Sequence, residues 1–184
     1  PAAGWTCFIG CGAMVMTAYL PDACIEEMWA GGRIPTAAAV VMPGRATREA
    51  GQLVEPLYDG IADLVAALHG LGWVLGVATG KSQRGLEHCL ATHGLTNSFA
   101  TLQTADHHPS KPHPSMIETA LAETGIEAGR CVMIGDTQFD MAMAVNAGVR
   151  GLGVDWGYHT AQELLDAGAE VVATNPAHLK ELLQ

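Results

Sequence analysis

From Leu57 onward the chain alternates short apolar runs with helix-patterned segments, and this alternation narrows the choice of fold more than any other feature. Leu57, Ile61, Leu64, Val65 and Leu68 recur at helical spacing, and Gly70 and Gly72 follow as a stop. WVLGVAT (73–79) is a continuous apolar run of strand length, as expected of a strand buried on both faces. Ser82 is placed to cap a helix carrying Leu86, Cys89, Leu90 and His93, which ends at Gly94. Further strands are expected at 99–103, 130–135, 149–155 and 170–173, and further helices at 114–124, 139–147, 160–167 and 177–183. Strands alternating with helices of this length predict an α/β, Rossmann-like parallel sheet with helices on both faces.

Residues 1–56 break the pattern. They hold five prolines, seven glycines and three of the five cysteines. Helices are conceivable over Asp22–Ala30 and Ala46–Glu55, but no period is sustained. The expectation is an irregular N-terminal segment or remnant cap over 1–56, followed by an α/β core over 57–184. The chain begins at Pro1 rather than Met, which points to processing or to a start inside a longer reading frame.

Composition removes several function classes. Nine Lys+Arg against 19 Asp+Glu leave a net charge of −10, unsuited to a polyanion, so no nucleic acid partner is expected. Residues 1–21 carry no charge and 7–20 are mostly apolar. That stretch lacks a basic flank and is too short for a bilayer, so no membrane partner is expected. An odd number of cysteines without CxxC spacing argues against a disulfide framework or zinc ribbon, and the expected compartment is the cytoplasm.

In open parallel sheets ligands bind beyond the carboxyl ends of the strands. The first run ends in Thr79-Gly80-Lys81-Ser82, where a hydroxyl, a Gly amide and a helix N-terminus suit a phosphate. Simple capping by Thr79 and Ser82 is the alternative. The 130–135 run leads into Gly135-Asp136-Thr137-Gln138-Phe139-Asp140. Two carboxylates four apart across a strand-to-helix turn suit Mg²⁺, or else favour the helix dipole. Between them lies Ser110-Lys111-Pro112-His113-Pro114, with Lys111 in a stiffened loop. Of only three lysines, Lys81 and Lys111 sit in these segments. Scarce positive charge is thus concentrated where an anion would need it, although a solvated Lys111 is the ordinary alternative. His107, His108 and His113 lack metal-ligand spacing and read as a solvated loop. His159 follows Gly157-Tyr158, near the pocket.

In order and position these segments resemble the haloacid dehalogenase-like hydrolase superfamily, in its phosphoglycolate phosphatase-like branch, over about 55–176. ATGKSQRGLEHCLATHGL resembles its second motif, SKPHP its third, MIGDTQFDMAMAVNAG its fourth and GVDWGYHTAQEL the segment after it. The resemblance implies hydrolysis of a small phosphorylated metabolite with Mg²⁺. It implies Thr79, Gly80 and Lys81 as the substrate-binding segment, and Lys111, Asp136 and Asp140 as catalytic residues. It also makes Asp136 a metal ligand, and Asp140 a second ligand or its support.

The family's first motif, DxDG at the end of the central strand, carries the nucleophile and the general acid/base. This chain has no Asp-x-Asp; by position Ile9 and Cys11 stand where those aspartates would be, in Cys7-Phe8-Ile9-Gly10-Cys11-Gly12. No Lys, Arg or His within the first 32 residues activates Cys11, so it reads as a buried structural thiol. The expectation is a phosphatase fold inactive as written, through an incomplete or scrambled start. The alternative is a non-catalytic phosphate- or partner-binding domain on the same fold. Nothing in the sequence indicates an oligomeric state.

Overall fold

The protein's structure, a computed structural model, describes residues 6–10 and 57–184. The described residues belong to one of two compact units, the one joining Pro1–Met16 to Leu57–Gln184. In chain order they form β1 (Thr6–Gly10), α1 (Ile61–Gly70), β2 (Val74–Thr79), α2 (Gln83–Thr92), β3 (Thr101–Thr104) and α3 (Ser115–Thr124). A 3₁₀ turn, Ala128–Arg130, then leads into β4 (Cys131–Gly135), α4 (Gln138–Asn146), β5 (Arg150–Val154), α5 (Ala161–Asp166), β6 (Val171–Ala173) and α6 (Pro176–Leu182).

The elements expected after Leu57 all form, with ends moved by a few residues. Helix α1 starts at Ile61 rather than Leu57 because Gly60 takes φ 86°, outside the helical region. Ser82 caps α2 by accepting from the Gly85 N–H at 3.3 Å. Thr160 caps α5 in a reciprocal box with Glu163.

The strands run in the order β3-β2-β1-β4-β5-β6, all parallel. Two halves therefore wind outward from β1 and β4, leaving a topological switch point at the carboxyl ends of those two strands. Alternate residues of one strand serve opposite faces, as the pleat requires. Val132 and Ile134 pack with α1, α2 and α6 through Leu64, Leu68, Leu86, Leu90 and Leu179. Cys131 and Met133 pack with α3 and α4 through Met116, Ile117, Met143 and Ala144. Both faces are thus covered, which is why the strands read as unbroken apolar runs rather than alternating ones.

The central strand comes from the segment expected to be irregular. Thr6–Gly10 pairs with β2 from Thr6↔Val74 to Gly10↔Ala78, and with β4 from Thr6↔Cys131 to Ile9↔Ile134. The first four residues of the Cys7–Gly12 run, which stands by position at the family's first motif, thus lie in the central strand, whose partners are more than sixty residues away in sequence. The helices considered over Asp22–Ala30 and Ala46–Glu55, and Cys11, lie outside the described residues.

Candidate active site

The site assembles around the carboxyl end of β1. By register Gly10 lies beside Ala78, and Ile9 beside Ile134. The β2 turn (Thr79, Gly80) and the β4 turn (Gly135, Asp136) therefore flank the position where β1 ends.

On the β2 side, Thr79 is buried, and its Oγ1 accepts from the Lys81 N–H at 3.1 Å. Gly80 is exposed, with nothing within 4 Å of where a side chain would begin, so the backbone there is open to a ligand. The N-terminus of α2 is partly occupied by the protein itself: the Gln83 N–H donates to Asp106 Oδ2 at 2.8 Å.

On the β4 side, Thr137 caps α4 in a reciprocal box with Asp140. Asp140 Oδ2 accepts from the Thr137 hydroxyl at 2.7 Å and from its N–H at 3.2 Å. The helix N-terminal place considered for these carboxylates is thus taken by Asp140, while Asp136 is tied elsewhere. Asp136 Oδ2 accepts from the Tyr158 N–H at 3.1 Å, and its carbonyl accepts from the His159 N–H at 3.1 Å. The His159 ring also serves α4: its Nδ1 accepts from the Gln138 N–H at 2.8 Å.

Two glycines make room for these carboxylates. A Cβ at Gly135 would overlap the Asp140 side chain, and one at Gly157 would overlap Asp136. Nothing in the residue pattern singled out Gly157, since its neighbour Asp136 is 21 residues away in sequence.

Lys111 joins the two sides. Its Nζ donates to the Ala78 carbonyl at 2.9 Å and to Asp140 Oδ1 at 2.5 Å. The pair is nearly closed to solvent, with side chains 15% and 3% exposed. The Lys111–Pro112 peptide is cis, and Asn146 Nδ2 holds the Pro112 carbonyl at 2.9 Å. Lys111 is therefore not a solvated loop residue.

Thr79, Gly80, Lys111, Asp140, Phe139 and Tyr158 line one cleft of about 380 Å³. Asp136 is not among the lining residues; it is almost fully buried and hydrogen-bonded to Tyr158, which is one of them. The Lys81 side chain is not among the lining residues; its backbone N–H contributes through Thr79.

Two carboxylates and one ammonium share this poorly solvated space. Burial raises the Asp136 carboxyl above the ordinary carboxylate range, and the neighbouring charge of Asp140 adds to the rise. Backbone hydrogen bonds and Lys111 oppose it. Excess negative charge on hard oxygen donors is the chemistry that suits a divalent cation. Among the described residues no three His, Cys, Asp or Glu side chains gather as a ready-made metal cluster. Such a cation would therefore take its other ligands from waters, backbone or substrate.

The sequence profile of the haloacid dehalogenase-like hydrolase family matches residues 44–154. The chain is 33% identical over 128 residues to N-acetylmuramic acid 6-phosphate phosphatase of Pseudomonas aeruginosa, a match covering 68% of this chain and 57% of that one. It is 26% identical over 137 residues to phosphoglycolate phosphatase of Vibrio vulnificus, covering 74% and 60%. The chain thus spans somewhat more than half the length of these curated relatives. Its fold is similar to that of a haloacid dehalogenase-like hydrolase from Streptococcus pneumoniae, with a TM-score of 0.74, 20% identity and 98% of each chain covered. Together with the parallel sheet and its switch-point cleft, the match establishes that this chain belongs to the haloacid dehalogenase-like hydrolase family.

Proposed function

We propose that this chain is the phosphoryl-binding core of a cytoplasmic, Mg²⁺-dependent phosphomonoesterase acting on a small phosphorylated metabolite. The substrates named for its relatives, phosphoglycolate and N-acetylmuramic acid 6-phosphate, are both phosphorylated organic acids. The observation that carries the reading is the convergence of Thr79, Gly80, Lys111 and Asp140 on one cleft, with the buried Asp136 hydrogen-bonded to the cleft residue Tyr158. Phosphoryl transfer needs chiefly positioning and charge neutralisation, and these groups supply both. In this reading the Thr79 hydroxyl and the backbone at Gly80 hold the phosphoryl oxygens, and Lys111 neutralises them. Lys81 contributes through the backbone of the same turn. The domain division, an α/β core over 57–184 with an irregular segment or remnant cap over 1–56, belongs to the same proposal, with β1 added to the core.

Asp136 is the better metal ligand of the two carboxylates. Both oxygens of Asp140 are already engaged, Oδ1 by Lys111 and Oδ2 by Thr137. Asp140 therefore serves as support, holding Lys111 in place. Bound Mg²⁺ would supply charge neutralisation of the phosphoryl oxygens and of the buried carboxylates.

A second reading, a non-catalytic phosphate-binding domain, is favoured by β1. Ile9 and Gly10 end the central strand, and the chain has no Asp-x-Asp. The chain as written is therefore expected to bind inorganic phosphate with Mg²⁺ yet turn over p-nitrophenyl phosphate at no more than the buffer rate. Calorimetric titration of phosphate and a hydrolysis assay read the two properties separately. Robust turnover that Asp136→Asn abolishes would overturn the loss of the nucleophile. Absence of phosphate binding, in the presence and absence of Mg²⁺, would overturn the phosphoryl site itself. A DxDG coding run upstream or in another frame would favour the phosphatase over the binding domain.

A further inference from the structure

Lys111 sits on the connection from β3 to α3, between Thr104 and Ser115. Its placement on Asp140 depends on how that connection is held. His108, expected to be solvated, is partly buried and bonded on both ring nitrogens. Its Nε2 lies 2.7 Å from Gln103 Oε1 on β3, and its Nδ1 lies 2.8 Å from Ser115 Oγ, the first residue of α3. One imidazole thus bridges both feet of the connection.

The direction of each bond follows from the neighbours. Glu123 is a carboxylate that can only accept. It accepts from Thr101 Oγ1 at 2.5 Å and from Gln103 Nε2 at 2.8 Å. Gln103 Nε2 also donates to Thr101 Oγ1 at 2.6 Å. The Gln103 amide is therefore oriented with its nitrogen toward Glu123 and its carbonyl toward His108. The carbonyl has no proton to give, so His108 Nε2 carries the proton and donates. In the neutral ring, Nδ1 then accepts from the Ser115 hydroxyl. Burial, with His107 next, lowers the His108 pKa and favours that neutral form. Ser115, His108, Gln103 and Glu123 thus form a single polarised chain, with His107 and His113 nearby.

We propose that His108 is a positioning residue, tying the Lys111 connection to β3 and α3 and so holding the Lys111 ammonium on Asp140. That Lys111 then meets an oxyanion rests on the function proposed above; its placement on Asp140 does not.

Site-resolved acylation of the full chain tests this without any assay of turnover. An activated ester is applied in limiting amount, and peptide mass spectrometry reads acylation at Lys111 against Lys180 in α6. In His108→Ala the Lys111 rate should rise about tenfold relative to Lys180. Reactivity follows the population of the open connection, and two ordinary hydrogen bonds hold it closed. Ser115→Ala removes one bond and should give a rise of roughly threefold by the same argument. A Lys111 ratio within about twofold of wild type in His108→Ala, on the same scale, would overturn the proposal. A parallel rise at both lysines would also overturn it, since His108 would then stabilise only the fold as a whole. Phosphate titration separates the two layers. Positioning stands and the phosphoryl reading fails if Lys111 is released in His108→Ala but neither wild type nor variant binds phosphate.

Discussion

The two ends of the sheet are built to opposite specifications, and their ion pairs show it. At the carboxyl end Lys111 meets Asp140 with side chains 15% and 3% exposed, beside the buried Asp136. At the amino end Arg150 meets Glu170 with side chains 50% and 47% exposed, beside apolar Leu71, Trp73 and Leu183. The Arg150 pair is well made, with Nε and Nη2 both donating to the carboxylate. Even so, solvent weakens it and either partner can return to water. At the carboxyl end, neither partner can be lost without stranding a charge. The lesson is that the strand ends with the most costly polar burial are those where a ligand would complete the charge balance.

Four substitutions probe this contrast. Lys111→Ala should have the largest effect, because it leaves Asp140 without its cation next to a second carboxylate. Denaturant unfolding should show a loss of about 3–5 kcal/mol, and phosphate binding should disappear. A loss no larger than that of an exposed pair would erase the distinction between the ends.

Gly157→Ala comes next. Its Cβ has no room beside Asp136, so either the carboxylate or the 156–159 turn must move. A destabilisation of about 1–3 kcal/mol is expected from such overpacking, with weaker response to Mg²⁺. Unchanged melting and Mg²⁺ response would show that the close approach is dispensable.

Asp136→Asn sharpens the electrostatic side. The folded carboxyl has a raised pKa, so between the unfolded and folded values the native state binds more protons than the unfolded chain. Stability contributed by this group is therefore present at low pH and lost as pH rises through that window. In metal-free buffer, Asp136→Asn should flatten this fall and leave the protein as stable as wild type, or more so, at neutral pH. Wild type should melt higher when Mg²⁺ is added, and the variant should not. Melting curves across pH, with and without Mg²⁺, would expose a wrong sign immediately.

Arg150→Ala should matter least. A loss of at most about 1 kcal/mol is expected for so exposed a pair, and high salt should shrink it further. A larger, salt-insensitive loss would mean that the amino end is less open than its exposure indicates.

Much of this architecture is legible in the residues themselves. Helix starts at Ser82 and Thr160, the stop at Gly125 and the apolar runs of β2 and β4 are local signals, set by capping chemistry and by burial on both faces. The three segments of the cleft are legible for a similar reason: each is a short motif placed just after a strand or in the connection leading to the next helix. Less legible were the parts that depend on distant neighbours. His108 read as solvated because its partners, Gln103 and Ser115, are ordinary residues whose meeting needs the β3–α3 connection to fold.

The sequence by itself determined an α/β chain with parallel strands, the places where its helices begin, and the residue types available to hold a phosphate. Those are consequences of period, capping and scarce charge. Tertiary structure alone decided the register in which Thr6–Gly10 pairs with β2 and β4. It also decided that Lys111 joins Ala78 to Asp140, and that Gly157 gives way to Asp136. Parallel pairing and buried charge compensation bring together residues tens of positions apart. Their energies exist only once the chain has closed those distances.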